Sequence, residues 1–245
     1  MSDYNPNPAA RYGTTAARDR VAVDQGLRAY MLGVYNYMTF GLAITGAVAL
    51  GTYLLATQSP AFAQVIYGSP LRWVIIFAPL ALVFFLSFRI ETLSVGAAQG
   101  LFWAYAALVG LSLSTIFLVF TGESITRVLF ITAASFGALS LYGYTTKRDL
   151  SPIGTFLFMG LIGIIIASLV NIWLASSMLQ WIVSVIGVGV FAGLTAYDTQ
   201  QIKEMYYAGD DATTAGRKSV MGALRLYLDF INMFMMLLHL FGNRE

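Results

Sequence analysis

Two aspartates stand where a carboxylate is costly. Asp198 in FAGLTAYDTQ and Asp229 in LRLYLDFIN lie inside otherwise apolar runs, whereas the other acids among the twelve Asp and Glu fall in tails, loops or span ends. A carboxylate in a membrane helix costs about 2.5–3.5 kcal/mol, so such acids face the bundle interior and mark ion or proton paths. Two carboxylates that share a low-dielectric site do not both ionise readily. A proton is retained between them, and its gain or loss makes the pair a pH sensor. The alternative is an acid held by one salt bridge for packing alone.

Arginines near the pair supply the counter-charge. Arg89 follows the apolar LVFFLSF, and a guanidinium there can bridge two carboxylates in a latch that protonation of either acid weakens. It can equally be an arginine that anchors its helix at the interface. Arg225 precedes Asp229 by four residues on the same helix face and competes with Arg89 for the acids. Asn232 and Tyr197 stand close enough along the chain to support the pair. Asn36, Asn171, Asn232 and His239 are polar groups near or within spans, where interhelical hydrogen bonding is their usual use.

The elements that must position these residues are membrane helices. The chain has 245 residues, 58% of them hydrophobic and 11% charged, less than half the charged content of an ordinary soluble domain. A span needs roughly 20 apolar residues, and such runs occur at 30–56, 71–88, 97–120, 125–145, 152–174, 179–202 and 220–241, predicting an all-α integral membrane protein of seven transmembrane helices. Residues 1–27 are polar and predict a disordered N-terminal tail, not a cleavable signal; 28–242 form the transmembrane domain and 243–245 a short C-terminal tail. Counting Lys and Arg by alternating side, with the N-terminus inside, puts Arg11, Arg18, Arg20, Arg28, Arg89, Lys147, Arg148, Lys203, Arg217, Lys218 and Arg225 on one side and Arg72, Arg127 and Arg244 on the other. The positive excess belongs to the cytoplasm. With helix 6 reaching that side near 203 and helix 7 leaving it near 220, Asp198 lies ~7 Å and Asp229 ~13 Å deep, so the carboxylates can meet in the cytoplasmic third. Gly189 and Gly193 stand at GxxxG spacing, which suits close helix approach. Trp73, Trp103, Trp173 and Trp181 fall near span ends, as interface anchors do.

Composition removes several chemistries. With no cysteine and one histidine, disulfides, thiolate metal sites and multi-histidine zinc or haem sites are excluded. A net charge of +2 gives no footing for a nucleic-acid partner. No GxxxxGK[ST] phosphate cradle occurs, so any flux runs down its gradient. No cofactor is expected.

The segments VYNYMTFGLAITG in helix 1, SFRIET after helix 2, YTTKRDLS between helices 4 and 5, AYDTQQIK in helix 6 and LYLDFINMFMMLLHLFG in helix 7 together resemble the Bax inhibitor-1 (YccA, or transmembrane BAX inhibitor motif) family, in its bacterial branch. The likeness covers 28–242. It implies a seven-helix fold with helix 7 surrounded by the other six, acting as a proton-sensitive calcium leak in the bacterial inner membrane. It also implies that Asp198 and Asp229 are the family's paired aspartates and Arg89 the arginine that latches them when closed. Some relatives carry a glutamate midway along helix 2, where this chain has Ala78 and Pro79.

Other functions are weaker fits. Tyr197–Asp198 resembles the YD motif of presenilin-type aspartyl proteases, but Leu226, Tyr227, Leu228 and Asp229 are not GxGD and the PAL sequence is missing. A retinal pump needs a lysine within a helix, while Lys147, Lys203 and Lys218 lie at span ends or in loops. The function that the resemblance implies is a pH-sensitive calcium leak and not an enzyme, with the lipid bilayer, Ca²⁺ and H⁺ as partners; Asp198 and Asp229 supply fewer than the six to eight oxygens that Ca²⁺ prefers, so binding there is weak and needs carbonyls, Tyr or Asn oxygens, or water. The alternative is a non-conducting regulator of a membrane protease partner.

Overall fold

The computed structural model describes the backbone of residues 8–244 and the side chains of 25–244. Eight α-helices follow one another: α1 (Pro8–Gln58), α2 (Pro60–Ala63), α3 (Leu71–Arg89), α4 (Val95–Leu113), α5 (Gly122–Thr145), α6 (Ser151–Leu174), α7 (Ser177–Glu204) and α8 (Ala212–Phe241). A π-turn at Gln64–Gly68 precedes α3, and a 3-10 turn at Ser114–Leu118 extends α4. Seven of these are long and apolar enough to cross a membrane. The protein is an all-α, multi-pass membrane protein.

Two boundaries differ from the sequence reading. α1 is helical from Pro8, so most of the polar stretch expected as a disordered tail over 1–27 continues the first span as helix; residues 1–7 lie outside the described residues. Its alanines and arginines are strong helix formers, and Pro8 sits at the first helical position, where its missing N–H costs nothing. α8 starts at Ala212, eight residues before its apolar run, because Asp211 caps it: the carboxylate accepts from the Thr214 amide. That hydrogen bond holds the Asp211 carboxyl below its ordinary range, as the Ser151 amide does for Asp149 ahead of α6. Ser59, Ser94, Thr121 and Ser176 cap α2, α4, α5 and α7 in the same way.

Burial ranks the helices. Of the apolar stretch of α8, 61% lies inside the protein, against 11–39% for the other spans. Its helix neighbours are α1, α4, α5 and α7; α3 joins the bundle through α4, and α6 through α7. The expectation that the last helix is surrounded by all six others is thus met by four. α3 and α6 have the highest hydropathy and the least burial of the seven, and a helix that is apolar all round can face lipid without loss.

The α1–α4–α8 junction is polar at its centre. Tyr227 of α8 hydrogen-bonds Thr45 of α1 at 2.6 Å, and the Thr45 hydroxyl lies 2.8 Å from the Ala106 carbonyl of α4. In α3, Pro79 cannot donate to the Ile75 carbonyl four residues back. Ser112 of α4 donates to that carbonyl instead, at 2.6 Å, so the break in the ladder is repaired by a neighbouring helix, as backbone in lipid requires.

The connections divide between two faces. Arg217 donates to the Leu93 carbonyl, and Lys203 donates to the Tyr144 carbonyl, gathering the α3–α4, α5–α6 and α7–α8 connections on one basic face. On the other face, Asn243 receives the Thr121 amide and donates to Ser124, pinning the C-terminus to the α4–α5 connection. The α6–α7 turn lies on this second face, where Ala175 takes a left-handed conformation, φ 48°. N-terminal and C-terminal ends of the bundle are therefore on opposite faces, as an odd number of spans demands.

Candidate functional site

α7 and α8 run antiparallel in a register visible at three levels. Gly222 receives Ile202, Asp198 faces Arg225, and Gly187 receives Met236. Steps of eleven residues separate the last two levels on each helix, close to three full turns, so the same faces meet again. This register brings Asp198 and Asp229 within hydrogen-bonding reach of each other. The sequence-level depth of Asp229 used a helix start at 220; with α8 beginning at Ala212 that count no longer applies, and the antiparallel register is what aligns the two acids.

The pair is enclosed unequally. Asp229 is 4% exposed and its Oδ2 has no hydrogen-bond partner among the described residues, while the Asp198 side chain is 17% exposed. Two carboxyls side by side can hydrogen-bond each other only when one carries a proton, since an ionised carboxylate has no hydrogen to donate.

Arg225, not Arg89, provides the counter-charge in this structure. Its Nη1 lies 4.0 Å from Asp198 Oδ1, and it lines the same cavity as Asp229. Arg225 is half-exposed, so this is a loose pair and not a buried bidentate one. Arg89 ends α3 with its side chain exposed and without an ion pair among the described residues. Since α3 packs chiefly on α4 and faces α7 and α8 across a cavity, the residue at its tip is not delivered to the acids.

The acids open onto a cavity of about 1160 Å³ between α3, α6, α7 and α8. Asp198, Asp229, Arg225, Asn232 and Tyr197, with Ser87, Thr155 and Ser168, are its polar lining, in walls otherwise apolar. Tyr197 reaches it because its ring lies over Gly154 of α6, where a Cβ would collide at 2.4 Å. Asn232 donates to the Leu228 carbonyl of its own helix, and His239 bonds the Met235 carbonyl likewise. Asn171 accepts the Ser176 amide of the α6–α7 turn. These three polar side chains serve local backbone, where the sequence suggested interhelical bonds. Among the described residues, no three Asp, Glu or His side chains gather as a metal cage.

A second hydroxyl chain lies behind the site and was not singled out from the sequence. Tyr35 of α1 bonds Ser140 of α5 at 2.6 Å, and Ser140 bonds Thr199 of α7 at 2.9 Å, next to Asp198. Gln200 anchors the same end of α7 by accepting the Leu150 amide and donating to the Arg148 carbonyl, both at 2.8 Å. Single hydroxyls in apolar runs are too common to signal such a chain.

Comparison with known proteins agrees with this architecture. The family model described as "Inhibitor of apoptosis-promoting Bax1" matches residues 27–245. The inner membrane protein YbhL of Escherichia coli K12 is 52% identical over 223 residues, covering 90% of this chain and 94% of its own. An uncharacterised protein of Rickettsia prowazekii is 48% identical over 95% of this chain and 96% of its own length. An uncharacterised membrane protein of Streptococcus pyogenes is 34% identical, with 91% and 96% covered.

Proposed function

The chain belongs to the Bax inhibitor-1 family of membrane proteins, and on that premise we propose that it is a proton-sensitive calcium leak of the bacterial inner membrane. The observation that carries the reading is the Asp198–Asp229 pair, within hydrogen-bonding reach and lining a cavity of about 1160 Å³ beside Arg225. Charged, the pair attracts a divalent cation and holds Arg225 by its field. Taking up a proton halves that charge and loosens the hold, so passage follows the protonation state of the pair. Two carboxylates with Asn232, Tyr197 and Ser87 nearby cannot strip Ca²⁺ of its water, which wants six to eight oxygens. The ion passes weakly bound and largely hydrated, down its gradient. The Lys and Arg excess of the basic face supports a cytoplasmic position for it, and the inner-membrane location rests on the relative from Escherichia coli.

Purified protein in liposomes loaded with a calcium indicator tests this reading across a pH series. Native protein is expected to admit Ca²⁺ at a rate that changes with pH, and Asp198→Asn and Asp229→Asn to flatten that dependence. Rates equal to those of protein-free liposomes at every pH would refute it.

A further inference from the structure

A second cavity, of about 430 Å³, lies at the α6–α7 turn, at the end of the bundle opposite the basic face. Its walls are unusually polar for a membrane protein that meets lipid with apolar side chains: Asn171, Gln180, Ser184 and His239 line it. Three residues, Ser168, Ile172 and Met236, line both this cavity and the one that holds the aspartates. Both spaces lie between α6, α7 and α8. On α8 the sequence Asp229, Asn232, Met236, His239 advances by three, four and three residues, so one stripe of one helix runs from the acids to the turn face. Met236 stands between the two polar ends of that stripe, about 10 Å from Asp229 along the axis at 1.5 Å per residue.

From this we infer that the leak path continues from the aspartate cavity into the polar cavity at the α6–α7 turn, with the Met236 side chain as the constriction between them. The inference rests on the proposed leak and names its route. Met236 is seated against Gly187 of α7, where even a Cβ would come within 2.9 Å of its Cγ and Sδ, so the absence of a side chain at Gly187 makes room for it. An unbranched thioether with three rotatable bonds can swing within such a notch, and an apolar constriction between wet spaces closes by expelling water. The polar groups beyond it are fixed in place: Ser184 donates to the Gln180 carbonyl at 2.8 Å, and Asn171 holds the Ser176 amide at 2.9 Å. They keep that cavity wet while Met236 keeps the passage narrow.

The absence of cysteine from the chain allows a clean test. Single-cysteine variants Met236→Cys and Ile166→Cys, the latter on the lipid-facing side of α6, are reconstituted and treated with a membrane-impermeant cationic methanethiosulfonate while Ca²⁺ entry is recorded. The expected result is rapid modification of Met236→Cys, slowed by millimolar Ca²⁺ and accompanied by loss of about nine-tenths of the flux, with Ile166→Cys unreactive. Met236→Ala is expected to raise flux several-fold and Met236→Trp to abolish it, each leaving the pH at which flux changes where it is in native protein. If Met236→Cys is as inert as Ile166→Cys and Met236→Trp conducts like native protein, the route through Met236 is wrong, while a surviving pH-dependent native flux keeps the leak itself. If native protein carries no flux, both fall together.

Discussion

Arg225 and Arg89 are rival counter-charges for the same acids, and a pair of substitutions separates them. Arg225→Ala removes the cation 4.0 Å from Asp198 and leaves two carboxyls sharing a poorly solvated site with nothing to balance the charged state. The pair then holds its proton to higher pH, because an opposite charge nearby is what favours the ionised form. Ca²⁺ flux recorded against pH is therefore expected to shift its response to higher pH by about one unit for Arg225→Ala, a scale set by the energy of an exposed to half-buried ion pair. Arg89→Ala, at an exposed helix tip, is expected to leave the response in place. A shift with Arg89→Ala and none with Arg225→Ala would show that the conducting protein uses a packing of α3 other than this one. The acids themselves were legible in sequence because a carboxylate in an apolar run has few other uses. The choice of arginine was not, since spacing reveals that Arg225 and Asp229 share a face but says nothing of whether α3 approaches that face.

Between helices, close contacts depend on what a residue lacks. At Gly143 of α5 an added Cβ would stand 2.2 Å from the Ala196 carbonyl of α7, a backbone atom two residues from Asp198 that cannot step aside. Gly163 of α6 has open space at the same test. Gly143→Ala is expected to lower the stability of the detergent-solubilised protein by about 1–3 kcal/mol, the usual cost of overpacking, and Gly163→Ala to leave its melting temperature nearly unchanged. The GxxxG spacing that drew attention in sequence is only half used: Gly193 receives Leu157, but Gly189 has nothing within 4 Å. A small residue signals permission for close approach, and only the partner helix decides whether it is taken. Ser112 gives the complementary case, in which a side chain supplies what a backbone lacks. Ser112→Ala leaves the Ile75 carbonyl of the Pro79 break without its 2.6 Å donor, and the expected loss is about 1–3 kcal/mol, the penalty for an unsatisfied buried acceptor. Ser112→Thr, which keeps the hydroxyl, should recover most of it in the same thermal melt.

For the whole molecule, the seven spans were readable from length and hydropathy alone, because lipid forces each run of some 20 apolar residues to close its hydrogen bonds as helix. Their neighbours were not readable: α3 and α6 are as apolar as any core helix, yet they lie outermost. The structure changes which residues count toward orientation. Arg225 belongs to the cavity, so it should not count toward topology, and the tail arginines before residue 25 can be set aside too. What remains on the basic face is Arg28, Arg89, Lys147, Arg148, Lys203, Arg217 and Lys218, against Arg72, Arg127 and Arg244 opposite. By the positive-inside rule, seven against three predicts a cytoplasmic basic face. Cysteines introduced at two exposed positions of the cysteine-free chain report this directly. Ala208→Cys lies in the α7–α8 connection and Glu123→Cys at the start of α5 on the opposite face. In intact cells a membrane-impermeant maleimide is expected to label Glu123→Cys and to reach Ala208→Cys only after the membrane is permeabilised. The reverse pattern would invert the protein, turning the aspartate cavity's basic end outward and making the external pH, not the cytoplasmic one, the nearer source of the proton that the pair holds.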